Sequence, residues 1–251
     1  MILGGLCLAC VFGVWSWATA GSIAEERILS PTLMPSPYEV WASIDTLLER
    51  GLLSGIAATL KRVFLGFGLS ISVGVTAGIL AGSWRPLQSF LAPLVLFGRS
   101  LPLAALIPLT LIWFGIEDKQ KIMFIFIATV PFIFSDTVAS VLSINERYVE
   151  TAETLGASRR QIIFKVLVPL ALPDIFTSVR FLFGLAFGYI MLAEVINAKA
   201  GIGFLINQSF TRGGNMEHAL LLLLIIGFMA YIIDRALVWF QRGLFPYRKD
   251  L

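Results

Sequence analysis

From residue 63 to residue 82 the chain runs twenty positions without a charged side chain. At 1.5 Å of rise per residue, a helix of that length matches the ~30 Å hydrocarbon core of a bilayer. Five further apolar stretches recur, at about residues 2–23, 86–114, 122–142, 175–198 and 219–240. A soluble domain of this size has no interior able to bury so many. Composition agrees: 57% of residues are hydrophobic and 14% charged, against about 25% charged in soluble domains, and the mean hydropathy is +0.86. The expectation is an all-α membrane protein with about six transmembrane helices.

The third stretch, 86–114, is too long for one perpendicular span, since a straight helix would reach ~43 Å. It also carries Pro93, Pro102 and Pro108. An elbow near Arg99–Ser100, followed by a shorter, kinked span, is expected. In the second stretch, Ser70, Gly74, Gly78 and Gly82 recur every four residues. That spacing puts a smooth ridge on one helix face, where another helix of the same chain can approach closely.

Several chemistries are excluded. Net charge is +3, and no basic run with interleaved aromatics is present, so nucleic-acid binding is not expected. Cys7 and Cys10 form a C-x-x-C inside the first apolar run, and His218 is the sole histidine. These make neither a redox centre nor a zinc site, so no metal and no catalytic residue is expected. Ala18-Thr19-Ala20 has the form of a signal-peptidase site, but no Lys or Arg precedes the apolar run. A retained N-terminal helix over 1–24 is therefore expected, followed by a polar segment, 25–62, with an amphipathic, interfacial stretch over 38–50. A polar turn over 117–121 leads into the fourth span.

The most informative polar segment is 143–173, between the fourth and fifth spans. Ser143-Ile144-Asn145-Glu146 has the form of a capping box and predicts a short helix ending at Leu155. Gly156 supplies a left-handed turn, Ser158 caps a second helix containing Arg159, Arg160 and Lys165, and Pro169 marks its end. On the first helix Tyr148, Ala152 and Leu155 share one face, and Glu146, Glu150 and Glu153 the other. Such a helix, with one face toward its own protein and one free, suits docking into a partner's groove.

Glu150-Thr151-Ala152-Glu153-Thr154-Leu155-Gly156-Ala157-Ser158, followed by Val166-Leu167-Val168-Pro169, resembles the EAA loop of ABC importer permeases. Thr151 stands where that pattern has Ala, and Val168 where it has Leu. The segments 33–40, 59–67, 101–109, 113–115 and 201–206, with Arg180, Gly184, Ala193 and Glu194, resemble the taurine/sulfonate/nitrate branch. The resemblance implies the type I ABC importer (MetI-like) transmembrane domain, with a five-helix permease core over 63–241 and a cytoplasmic tail over 242–251. It makes Glu150, Thr151, Ala152, Gly156, Ala157, Ser158 and Pro169 the residues that couple to an ATPase.

It also implies partners: ABC ATPase subunits carrying ATP and Mg, a second copy of this permease, and a periplasmic or lipid-anchored solute-binding protein. The chain itself lacks G-x-x-x-x-G-K-[ST], so nucleotide belongs on another subunit. The location implied is the bacterial inner membrane, with both termini cytoplasmic. Charges support this weakly, with Arg147, Arg159, Arg160, Lys165, Arg242, Arg248 and Lys249 inside but Lys61, Arg62, Lys119 and Lys121 outside. The solute expected is a small anion such as nitrate, a sulfonate, taurine or bicarbonate, with a pyrimidine or vitamin precursor as the alternative.

Intramembrane polar groups mark pathways or partners. Arg99, Tyr189, Glu194 and Asn197 are candidates for the translocation pathway, although Arg99 is placed at the inner boundary and a carboxylate at Glu194 would repel an anion. Arg180 and Asp234 are read as structural; Asp136 is open. The rival class, a secondary transporter or channel, calls for ion-coupling carboxylates or an internal repeat, and neither is evident.

Overall fold

The computed structural model describes residues 2–21, 27–211 and 214–247, and these form helices and connecting turns without a strand. The helices are α1 (Ile2–Ala18), α2 (Pro37–Ala42), α3 (Ile44–Glu49), α4 (Leu52–Ser83), α5 (Arg85–Ser100), α6 (Leu103–Phe114), α7 (Asp118–Leu142), α8 (Glu146–Thr154), α9 (Arg159–Ile162), α10 (Val168–Asn197), α11 (Ile202–Thr211) and α12 (Met216–Leu244). A π-turn, Ile163–Leu167, joins α9 to α10.

Four helical stretches are long and apolar enough to cross a bilayer: Leu52–Ser83, Asp118–Leu142, Arg159–Ile196 and Met216–Leu244. The pair α5 and α6, bent by 102°, makes a fifth if the two together are one broken span. The sixth apolar run forms α1, whose 17 residues reach only about 25 Å. Leu101, at the bend, is extended at ψ 133, because the ring of Pro102 disfavours the helical conformation in the residue before it.

By internal contacts the chain forms two units: 1–59 with 194–229, and 60–193 with 230–251. In the first, the amphipathic stretch at 38–50 is two short helices, α2 and α3, rather than one. Ser36 and Glu39 form a reciprocal capping box on α2, and the Glu39 carboxylate also pairs with Arg27 at 2.9 Å. The Arg27 hydrogen bonds lead the effects that hold the Glu39 carboxyl down at about 2. Trp15 Nε1 donates to Pro35 O at 2.9 Å, tying α1 to this segment.

In the second unit the small-residue ridge of α4 packs on α7. A Cβ at Gly74 would lie 2.8 Å from Ile133 Cγ2, one at Gly78 2.6 Å from Thr137 Cβ, and one at Gly82 2.8 Å from Val141 Cβ. Ser70 continues the row, its hydroxyl accepting from Thr129 Oγ1 at 2.7 Å. The ridge serves packing within the chain, as its spacing suggests. α6 covers the other end of α7, where Leu106 and Ile107 pack on Phe124.

The expected polar turn at 117–121 is instead the first turn of α7. Gln120 and Lys121 are buried. Gln120 Nε2 donates to Thr110 Oγ1 and Lys121 Nζ to Ile116 O, both at 2.9 Å, so their donor nitrogens meet partners inside the protein. Arg62 Nη2 meets Asp118 at 2.6 Å.

Pro169 does not end a helix. It sits at the second position of α10, where a missing N–H costs little. The π-turn lets α9 run on into α10, and Tyr247 donates its hydroxyl to Pro169 O at 3.1 Å.

Candidate coupling loop

α8 begins at Asn145, whose side chain accepts from Arg147 N at 3.0 Å. The predicted cap, Ser143, instead closes α7: its N donates to Ala139 O at 2.9 Å and its hydroxyl to Ser140 O at 2.9 Å. α7 runs through Leu142, which leaves Ser143 within its last turn.

The far end of α8 is fixed by two backbone bonds. Gly156 N donates to Glu153 O at 2.9 Å, and Ala157 N to Ala152 O at 3.0 Å. This pair is the Schellman arrangement, which requires a left-handed residue at its centre. Gly156 meets that requirement at φ +76. Ser158 then caps α9 in a reciprocal box with Gln161, as its position predicts.

The two departures from the EAA pattern sit easily. Thr151 donates its hydroxyl back to Arg147 O at 2.6 Å, so α8 absorbs the extra polar group. Val168 is the first residue of α10. Glu150 is exposed, and its carbonyl accepts from Thr154 Oγ1 at 2.8 Å.

The structure assigns the two faces of α8, which the sequence reading left open. Glu146, Val149 and Glu150 line a cleft of about 290 Å³ with Gly82, Ser83, Val141 and Leu167 of the same chain. The apolar pair is free: Tyr148 is 56% and Leu155 82% exposed. Glu146 and Glu150 line this cleft while staying exposed, and Tyr148 and Leu155 form an exposed apolar pair. Periodicity finds the two faces but carries no sign.

Six of the expected coupling residues, Glu150, Thr151, Ala152, Gly156, Ala157 and Ser158, therefore fall on one element, α8 with its Gly156 turn and the α9 cap, joined through α7 and through the π-turn and α10 to two spans; Pro169 lies apart, in α10. The pathway candidates do not converge. Arg99 lines a cleft between α5 and α7. Tyr189 packs beside Leu106, Ile107, Phe124 and Ala193. The side chain of Asn197 lies outside the described residues. Glu194 is fully buried and accepts from Thr59 Oγ1 at 2.9 Å and Gly203 N at 3.0 Å. Thr59 in turn accepts from Ile202 N at 3.0 Å. The carboxylate and hydroxyl thus satisfy the first N–H groups of α11, a helix the sequence reading did not anticipate. Arg180 Nε pairs with Asp234 at 3.2 Å, in keeping with the structural reading of both.

Residues 74–246 match the family described as "Binding-protein-dependent transport system inner membrane component". The chain is 30% identical over 250 residues to the taurine transport system permease protein TauC of Escherichia coli K12, covering 97% of this chain and 89% of that one. It is 34% identical over 196 residues to the bicarbonate transport system permease protein CmpB of Synechococcus elongatus, covering 78% and 70%. Among solved structures, an inward-facing form of the MetNI methionine ABC transporter shares the fold at TM-score 0.71 and 24% identity, covering 78% of this chain and 97% of that one.

Proposed function

The chain belongs to the binding-protein-dependent transport system inner membrane component family, and from that premise we propose how it works. It is the multi-pass permease subunit of an ABC importer. The apolar face of α8, Tyr148 with Leu155, seats in a groove on a cytoplasmic ATPase that carries ATP and Mg. Glu150, Thr151, Ala152, Gly156, Ala157, Ser158 and Pro169 set the shape and attachment of that lever. Two copies of the permease sit on two ATPases, and closure of the ATPases swings both α8 helices and the spans attached to them. Both termini lie in the cytoplasm, residues 25–62 face outward, and a solute-binding protein delivers a small anion of the sulfonate, nitrate or bicarbonate kind.

The observation that carries this reading is an exposed apolar face on a short helix whose two ends are locked. Exposed apolar surface set in a polar rim marks a protein contact, and a helix fixed at both ends transmits displacement rather than absorbing it.

The test is the pair Gly156→Pro and Leu155→Asp, with the permease co-expressed with its ATPase. Both variants insert in the membrane, and binding-protein-stimulated ATP hydrolysis and uptake fall about tenfold or more, the equivalent of roughly 1.4 kcal/mol of lost docking. Unchanged uptake refutes the loop assignment. Wild-type uptake in proteoliposomes without ATP makes the chain a secondary transporter or channel.

A further inference from the structure

The cations in and beside the spans of this chain are not equivalent. Arg62 and Arg180 each pair with a carboxylate, Asp118 at 2.6 Å and Asp234 at 3.2 Å. Arg99 is different: its Nη1 donates to the Ser135 hydroxyl, its guanidinium lies 5.2 Å from the Phe132 ring centroid, and Asp136 acts on it through space. The side chain is exposed.

It is also deeper than the sequence reading placed it. Ser135 stands seven residues before Leu142 in α7, about 10 Å from that end and about 25 Å from the other. A position opposite Ser135 is within a ~30 Å hydrocarbon core, not at its edge. An exposed guanidinium at that depth is costly against lipid, so the face carrying it meets water or protein.

The surroundings supply the rest. Gln88, Arg99 and Ser135 line a cleft of about 310 Å³ walled by Val95, Phe134 and Val138, at the small end of the ~300–1,000 Å³ range of ligand sites. The stripe Gln88, Ala92, Val95, Arg99 is separate from Phe90, Leu94 and Phe97, which are 64–79% exposed and suited to an apolar surround. α5 is thus amphipathic within the membrane, and its polar stripe is the cleft. A guanidinium presents a planar fork of donors that fits two oxygens of one oxyanion. Gln88 and Ser135 add further donors, and the apolar walls limit size.

We propose that the cleft at the α5–α7 elbow, built by Arg99, Ser135 and Gln88, is a water-lined site that takes a small sulfonate or carboxylate-type oxyanion in transit. This rests on the importer reading above and names the chemistry of one station along its path.

The test uses the assembled complex in permeabilised membranes, with Cys7→Ala and Cys10→Ala removing the native thiols and Ser135→Cys placing a reporter. The probes are two thiol reagents of similar size, the anionic 2-sulfonatoethyl and the cationic trimethylammonioethyl methanethiosulfonate. Each rate is divided by that of the same reagent with free cysteine, and the ratio of the two then cancels the thiolate fraction and reads the local electrostatic preference for an anion over a cation. The anionic reagent reacts about tenfold faster, within the range that a focused positive field produces. Arg99→Gln abolishes the preference, and Arg99→Lys, which keeps the charge without the fork, retains most of it. Equal rates in all three backgrounds overturn the proposal. So does a cysteine that takes a membrane-soluble maleimide but neither charged reagent, which puts the cleft against lipid. Binding-protein-stimulated ATP hydrolysis of the wild-type complex is measured alongside. If it is present while the preference is absent, the site is wrong and the importer reading stands; if it is absent, that reading itself fails.

Discussion

Replacing Gly78 with alanine isolates the packing of α4 on α7, because the same helix offers its own control. A Cβ at Gly78 lands 2.6 Å from Thr137 Cβ, 2.8 Å from Thr137 Cγ2 and 3.0 Å from Phe134 O. Carbon atoms rest at ~3.5–4.0 Å, so the helices must part by about 1 Å, and the neighbouring contacts at Gly74 and Gly82 loosen with them. Overpacking of this kind costs ~1–3 kcal/mol. The substitution also gains ~0.8–1 kcal/mol of helix propensity. At Gly68 an added Cβ meets nothing within 4 Å, so Gly68→Ala collects the propensity gain alone. The difference between the two variants is therefore the contact term, about 1–3 kcal/mol. At roughly 2–4 °C per kcal/mol for a chain of this size, Gly78→Ala melts about 2–12 °C below Gly68→Ala. Thermal unfolding of the purified permease in detergent, followed by loss of the monodisperse peak, reads the gap. Equal melting temperatures, or a higher one for Gly78→Ala, refute the packing of this ridge on α7.

Glu194→Ala strands the donors of Thr59 and Gly203 in a buried site, at on the order of 1–3 kcal/mol each; Glu194→Gln keeps one acceptor and melts higher, and equal melting of the two contradicts the capping role. Gly201→Ala behaves like Glu194→Ala in the same assay, since its φ is +126 and its Cβ would collide with the Glu194 carboxylate. Because the Glu39 carboxyl is held at about 2, below its ordinary 4.5, its contribution is complete above pH 4.5 and is lost as pH falls through 2. Arg27→Gln removes that part of the acid sensitivity between those limits, seen as a flatter melting temperature against pH.

The sequence carried most of the architecture because its signals were local. Uncharged runs fixed the spans, the four-residue recurrence at Ser70, Gly74, Gly78 and Gly82 fixed a close helix contact, and the spacing from Glu150 to Gly156 fixed the loop. Pro169 misled because a proline stops a helix only where an N–H is needed, and a π-turn had moved it into a first turn. α11 was missed for a different reason. It is ten residues long, and part of what holds its start comes from Thr59, 143 residues before Ile202. A cap supplied across that separation leaves no mark in the local pattern.

The two charged pathway candidates show what a rule about membrane charges needs before it can point to function. Glu194 and Arg99 look alike in the sequence, each a lone ionisable residue in an apolar run. Glu194 is fully buried and turns its oxygens on the start of α11 and on Thr59, so its charge is spent on holding one helix in place. Arg99 is exposed and gives one bond to a hydroxyl at the edge of a cleft, which leaves most of its donors directed at whatever enters. The discriminating quantity is therefore the number of donors or acceptors left over after the chain has folded. That number depends on partners 36 residues away for Arg99 and 135 for Glu194, and only the packed helices determine it.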